Sequence, residues 1–334
     1  MKKKQQYIYI YILFMIFLLV IFYYAGRWYA EVYLKYNTTT LSGWNKYEQN
    51  PILGNNDTGT LFDPCVVQRD DGKFLMYVSW RPRKAIAVSQ SDDGINWSEL
   101  KICLTTNNST DWENDINRAS VIIKDGIYHM WYTGQNGNAS KIGYAVSENG
   151  IDFKRVSNEP VLFSEYEWEK ESVMNPFVLY DEEEETYKMW YAAGEQYEPD
   201  VIAYATSKNG LNWKKYENNP IFTSSNELIA LDNYKVGACD IHKMSNDLYI
   251  MFYIGYTDID TARIFMAISK NGINDWIRFS ITPVVIPTIG QFDSNACYKP
   301  SAIYDKENER WMLYYNGRQQ DKEYIGLVIK NNYT

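Results

Sequence analysis

Acidic side chains recur at one point of a repeating pattern in this sequence, in or just ahead of short apolar runs. Asp63 precedes Pro64-Cys-Val-Val, Asp115 precedes Arg118-Ala-Ser-Val-Ile, Glu169 and Glu171 precede Pro176-Phe-Val-Leu, Asp240 and His242 lie in Cys239-Asp-Ile-His, and Asp293 and Asn295 precede Pro300-Ser-Ala-Ile. A lone loop acid is as readily a turn former, but recurrence at equivalent points of successive repeats favours convergence on one site. Two such carboxyls suit cleavage of a glycosidic bond: one protonates the leaving oxygen, the other activates water or attacks the anomeric carbon from the opposite side. The donor must stay protonated near neutral pH, which burial and neighbouring negative charge achieve. Counting back from each following turn puts Asp63, Asn117, Asn175, Ala238 and Lys299 in register. Trp80, Trp112, Trp168 and Phe292 lie in or beside these loops, where aromatic faces stack on sugar rings.

The elements that position these residues are legible as repeats. Aromatic patches Phe74-Leu-Met-Tyr-Val, Tyr128-His-Met-Trp-Tyr, Tyr187-Lys-Met-Trp-Tyr, Tyr249-Ile-Met-Phe-Tyr and Trp311-Met-Leu-Tyr-Tyr follow the five apolar runs. Each is followed by a second β-rich run, such as Ile142-Gly-Tyr-Ala-Val-Ser, and four of these lead into Asp93-Gly, Asn149-Gly, Asn209-Gly or Asn271-Gly and then an aromatic. Asn-Gly and Asp-Gly mark tight turns because both residues tolerate positive φ. The repeat is thus four antiparallel strands. The fifth copy stops at Lys330 without its fourth strand, and Trp44-Asn-Lys-Tyr-Glu-Gln-Asn-Pro-Ile-Leu53 reads almost like Trp213-Lys-Lys-Tyr-Glu-Asn-Asn-Pro-Ile-Phe222. The expected architecture is all-β, a five-bladed β-propeller closed by its amino-terminal strand, which removes exposed sheet edges.

With these motifs the chain, over roughly residues 40 to 330, resembles the five-bladed glycosidases of families 43 and 32, the arabinanase, xylosidase and invertase relatives. The resemblance rests on Ile-Gly-Tyr-Ala-x-Ser followed by Asn-Gly-Ile-x-Phe/Trp, and on Phe62-Asp63-Pro64. It implies Asp63 as general base or nucleophile, a second-blade Asp as pKa modulator and a third-blade Glu as acid. The second blade has Asn117-Arg118 in place of Asp-Pro, with Asp115 two residues earlier; the third has Met174-Asn175-Pro176, so Glu171 is the acid expected, Glu169 the fallback, and Asp240 a further candidate. Arg118, His242 and Lys299, with Asn117 and Asn175, are the expected ligands of hydroxyls or an anionic sugar group. A distant likeness to the family 130 mannoside phosphorylases implies instead a phosphate held by Arg118, His242, Lys299 and Arg318. A third reading is a glycan-binding propeller without catalysis, serving surface-polysaccharide assembly. No cofactor or metal is implied.

The first residues set the location. From Tyr7 to Ala25 the chain is uncharged and apolar, preceded by Lys2, Lys3 and Lys4 and followed by Trp28 and Tyr29. That length spans a bilayer, and the flanking charges place the amino end in the cytoplasm. Residues 1–36 are therefore expected to form a basic tip, a transmembrane signal anchor and a short stalk, and residues 37–334 a propeller on the periplasmic or extracellular side acting on an oligo- or polysaccharide. A net charge of -9 on 334 residues disfavours nucleic acid as a partner. The four cysteines are too far apart for a CxxC metal site or a disulfide framework. Asn37, Asn56, Asn108, Asn138 and Asn332 begin glycosylation sequons.

Overall fold

The computed structural model describes residues 2–36, 43–137, 139–227, 229–279 and 282–331. Asn37, Asn138 and Asn332 lie outside the described residues. The chain is nearly all-β, with one apolar helix, Lys2–Tyr36, at its amino end. Within that helix Tyr11–Trp28 is long and apolar enough to cross a membrane, and Leu13, Phe14 and Phe17 are exposed on it. All four cysteines are free thiols, three of them buried.

Five antiparallel groups follow. The first comprises Leu61–Gln68, Phe74–Trp80, Ala85–Ser91 and Lys101–Thr105. The second comprises Asp115–Lys124, Ile127–Gln135, Ser140–Ser147 and Lys154–Arg155. The third comprises Ser172–Asp181, Thr186–Gly194, Pro199–Ser207 and Lys214–Lys215. The fourth comprises Lys235–Ser245, Leu248–Asp258, Thr261–Ser269 and Ile277–Arg278. The fifth has Ala296–Asp305, Arg310–Gln319 and Lys322–Asn331, and takes Asn45–Lys46 as its fourth strand, with Asn45 opposite Ile329 and Lys46 opposite Val328. Backbone hydrogen bonding delivers four open sheets, because one parallel pair, Ser140 with Ser172, bridges the second and third groups.

The first strands of the groups contact one another in chain order, and Ala296–Asp305 returns to Leu61–Gln68. Side chains stitch this inner circle. Cys65 Sγ accepts from Val121 N at 3.3 Å, Ser120 Oγ from Val178 N at 2.9 Å, Asp240 Oδ2 from Ala302 N at 3.2 Å and Ser301 Oγ from Val66 N at 2.9 Å. Farther out, the aromatic patch of one group caps the tight turn of the next. Tyr77 OH donates to Gly150 O, Trp131 Nε1 to Gly210 O, Trp190 Nε1 to Gly272 O and Tyr314 OH to Gly94 O, at 2.7–2.9 Å. The fifth group has no such turn, since its fourth strand comes from the amino end; at the matching place Phe252, which has no donor, packs edge-on against Trp44 at 5.5 Å.

A buried ionic cluster recurs in four groups. Glu113 receives Tyr132 OH and Arg155 Nε, Glu169 receives Tyr191 OH and Lys215 Nζ, Asp232 receives Tyr253 OH and Arg278 Nε, and Asp293 receives Tyr315 OH and Lys46 Nζ. Each cation sits at the second residue of the fourth strand, so Lys46 does for the fifth group what Arg155 does for the second. Gly317 makes room for the fifth cluster, since a Cβ there would lie 2.4 Å from Asp293 Cβ.

Replacing Lys46 by Met leaves Asp293, fully buried, without its cation. Removing one partner of a buried pair costs about 3–5 kcal/mol, so urea unfolding of Lys46→Met is expected to show a loss of that size. A loss below about 1 kcal/mol would remove the closing role given to this strand.

Candidate functional site

Every group breaks its ladder at the same place. The first strand shifts register against the second between Phe62 and Cys65, Asn117 and Ser120, Met174 and Phe177, Gly237 and Cys239, and Tyr298 and Ser301. At each break one non-glycine residue has positive φ: Asp63 at 53°, Arg118 at 56°, Asn175 at 51°, Ala238 at 30° and Lys299 at 39°. Such bulges re-aim side chains and store strain that the surrounding fold must hold. In the second group the equivalent residue is therefore Arg118, not Asn117. The turn at Asp125-Gly126 is short, so counting back from it slips by one. Neighbouring groups brace the bulges: Asn316 Oδ1 accepts from Asp63 N at 3.1 Å, Ser79 Oγ from Arg118 N at 2.9 Å and Thr133 Oγ1 from Asn175 N at 3.1 Å.

These backbone turns aim Asp63, Arg118 and Asn175 into one cavity of about 170 Å³. The remaining wall comes mainly from the hairpins that join second to third strands, where Arg318, expected from the sequence as a phosphate ligand, stands beside residues the sequence did not single out. These hairpins bring Arg81 from the first group, Glu198 from the third, and Arg318 and Glu323 from the fifth. Tyr197, Tyr256, Tyr298 and Asn316 complete the polar wall. Lys235 holds the Glu198 hairpin, donating to Glu198 O at 3.0 Å and pairing with Asp200 at 3.0 Å. The signal available in the sequence was an ionisable residue in each of these hairpins, Arg81, Glu198 and Glu323.

Three carboxyls in this cavity are held above their ordinary range. Burial raises Asp63, opposed by Arg118, Lys299 and Arg81. Burial raises Glu198, opposed by the Tyr256 hydroxyl and by Arg118, Arg318 and Lys235. Glu323 is pushed up to about 7, by burial above all and by the charge of Asp63, against Arg81 and Arg318. Arg118 Nε lies 3.7 Å from Asp63 Oδ2, close enough for ionic attraction but too long for a hydrogen bond. Asp63 Oδ2, Asn175 Oδ1, Tyr298 OH and Arg318 Nε have no hydrogen-bond partner. They make up four of the eight such buried side-chain atoms among the described residues. Buried polar atoms are nearly always satisfied, so this cavity offers both donors and acceptors to whatever occupies it.

The other expected residues lie elsewhere. Asp240, His242 and Lys299 line a second cavity of about 240 Å³ inside the inner circle, with His242 Nε2 2.5 Å from Asp240 Oδ1. Asp240 occupies the register of Cys65, Ser120 and Ser301, whose side chains stitch that circle. Asn117 is buried beside the cavity, giving Nδ2 to Gln135 at 2.7 Å and taking Arg118 Nη1 at 3.2 Å, so it steadies Arg118. Glu171 is exposed and Asp115 half-buried, and neither lines the cavity. Glu169 and Asp293 are held in the buried ionic clusters. Of the aromatics, Trp80 donates to Thr58 O at 2.8 Å, Trp112 to Asn158 O at 2.9 Å, and Trp168 stacks on Tyr166. None of the three lines the cavity, and Phe292 packs against Tyr315.

Known proteins share this framework. The family model of the glycosyl hydrolases family 32 N-terminal domain matches residues 83–274. An uncharacterized protein of Mycobacterium tuberculosis is 29% identical over 215 residues, covering 61% of this chain and 67% of that protein. A 1,2-β-oligomannan phosphorylase of Thermoanaerobacter is 26% identical over 233 residues, covering 65% of this chain and 71% of that protein. Among solved structures, a glycosyl hydrolase from Bacteroides ovatus superposes with a TM-score of 0.67 at 14% identity, covering 87% of this chain and 94% of that one. A thermostable family-43 glycoside hydrolase superposes with 0.65 at 17% identity, covering 84% and 90%. At these identities the structures establish the fold alone.

Because Glu323 keeps its proton to about pH 7 when folded, while an unfolded Glu releases it near pH 4.5, the folded state holds the extra proton between those values. Stability is unaffected below about pH 4.5 and falls as pH rises to about 7, by roughly 3 kcal/mol at ~1.4 kcal/mol per unit. Glu323→Gln is expected to be more stable than the parent at pH 8 by about 2–3 kcal/mol and equal to it at pH 4.5. Denaturation curves at both pH values that differ by the same amount would refute the titration.

Proposed function

The chain belongs to the glycosyl hydrolases family 32 N-terminal domain family, and from that premise we propose that it is a glycosidase working from the cavity around Asp63. In this reading the five antiparallel groups are five blades of a propeller closed by Asn45–Lys46. The helix Lys2–Tyr36 anchors it, with the amino end cytoplasmic and the propeller on the periplasmic or extracellular side, where it meets an oligo- or polysaccharide. The observation that carries the reading is the convergence, in one cavity, of three carboxyls displaced upward and four buried polar atoms without partners.

Asp63, attracted by Arg118 and Lys299, serves as the carboxylate, and Glu198, oriented by the Tyr256 hydroxyl, as the acid. These residues come from the first and third groups, so they approach a bound glycoside from separate blades. Glu198 gives its proton to the leaving oxygen as the anomeric C–O bond breaks. Either water attacks the anomeric carbon and passes its proton to Asp63, or Asp63 attacks and water then releases the sugar. Glu323, neutral below about pH 7, spares Asp63 a second negative charge at its side. Asn175, Tyr298 and Arg318 take up sugar hydroxyls with their unpartnered atoms.

A second reading draws on the three guanidiniums of the wall, Arg81, Arg118 and Arg318. They suit phosphate, which would replace water as the nucleophile and leave a sugar 1-phosphate. The matched 1,2-β-oligomannan phosphorylase is in keeping with it. Release of sugar 1-phosphate that depends on added phosphate selects this reading; release of free reducing sugar without phosphate selects hydrolysis.

Asparagine tolerates the positive φ of residue 63, so Asp63→Asn should keep the fold. It is expected to lower kcat/KM at least 100-fold on a panel of β-1,2-mannobiose and aryl glycosides. Glu198→Gln should slow mannobiose far more than aryl glycosides, whose leaving oxygen needs no proton. Full turnover by Asp63→Asn on a confirmed substrate would refute the assignment.

A further inference from the structure

The strand Lys322–Asn331 starts at the cavity, where Glu323 lines it, and runs away from it. Against it, Leu53 pairs with Ile325, Lys46 with Val328 and Asn45 with Ile329. Traced backward from Leu53 to Asn45, the chain therefore recedes from the cavity by four strand residues, about 13 Å at ~3.3 Å each. Gly43, where the described β part begins, lies toward the opposite face. The helix Lys2–Tyr36 is joined to that face through residues 37–42, which span at most about 20 Å.

We propose that the cavity opens away from the membrane that holds the helix, so that its substrate is a saccharide presented from the aqueous side and not the sugar headgroup of a lipid in that membrane. The proposal rests on the reading of Lys2–Tyr36 as an anchor. The height of the domain enforces the separation: Leu248–Asp258 crosses it from the far hairpin to the cavity side, about 33 Å at ~3.3 Å per residue. The charge of the far face acts in the same direction. Its third-group hairpin reads Asp181-Glu-Glu-Glu-Glu185, with the Glu183 and Glu184 side chains well exposed. Anionic headgroups repel such a hairpin, which holds the domain off the lipid surface on its helical stalk. A glycolipid headgroup in the same leaflet would have to pass around the whole domain to enter.

Two labels at opposite ends of one strand test this. Asp247→Cys, in the far hairpin, and Ile259→Cys, in the exposed cavity-side hairpin, are labelled with bimane in the full chain. The chain is reconstituted in phosphatidylcholine–phosphatidylglycerol vesicles containing a headgroup nitroxide lipid. The label at 247 is expected to be quenched several-fold more than the label at 259. Equal or reversed quenching in protein that floats with the vesicles overturns the orientation while leaving the anchor intact. Protein that does not float with the vesicles removes the anchor and this proposal with it, and leaves the glycosidase reading of the cavity untouched.

Discussion

The structure depends on a buried carboxylate that reaches three parts of one antiparallel group at once. Glu113, Glu169, Asp232 and Asp293 each precede a first strand, receive a tyrosine hydroxyl from the second strand and a cation from the fourth. Replacing such a set by apolar groups need not destabilise a protein, but a half-made set is expensive. The clusters therefore act on register: a fourth strand that slipped by one residue would point its cation to the other face. Only two residues form the fourth strand in the second to fifth groups, too few to fix a pairing by backbone hydrogen bonds. The charge does it. In the first group Val78 stands at the place of the tyrosine, and there a longer strand, Lys101–Thr105, supplies the pairing instead.

That rigid frame is what lets five bulges persist. Positive φ at Asp63, Arg118, Asn175, Ala238 and Lys299 is unfavourable for residues with a Cβ, least so for Asp and Asn. The cost is met by packing between neighbouring groups and by Asn316, Ser79 and Thr133, which bind the turned amides. The same geometry that strains the backbone swings side chains from several groups toward one cavity. The cavity is built on strand starts and short hairpins, more rigid supports than long loops.

Much of this was legible in the sequence, and the limit is physical. The four-strand repeat, its Asn-Gly turns and the kinship of Trp44–Leu53 with Trp213–Phe222 are local patterns, and the pairing of Asn45–Lys46 with Lys322–Asn331 follows from them. Asp63 stood out because Asp-Pro opens an apolar strand. Glu198 and Glu323 did not, because their hairpins differ in length and composition from group to group, so alignment on the strands gives them no common register. Glu169 and Asp293 looked equivalent to Asp63 because all three come just ahead of an apolar run in the sequence. What separates them is Lys215 and Lys46, which arrive from 46 residues later and 247 residues earlier. No spacing rule within a repeat can see a partner that enters from the other end of the chain.

The contrast between the two sets of buried acids also explains how one fold keeps paired and unpaired carboxyls side by side. Glu113 and its three counterparts each accept from a tyrosine and a cation in close contact, so their oxygens are spoken for, even where burial still raises the carboxyl, as at Glu113. Asp63 has one oxygen without a partner and no cation at hydrogen-bonding distance, only Arg118, Lys299 and Arg81 farther off, and Glu198 has a tyrosine hydroxyl. Burial then holds both carboxyls above their ordinary range. The three guanidiniums around them match three carboxyls, so protonating any one carboxyl leaves the cavity net positive. That surplus favours electron-rich oxygen in the cavity whenever one of the three carboxyls holds its proton.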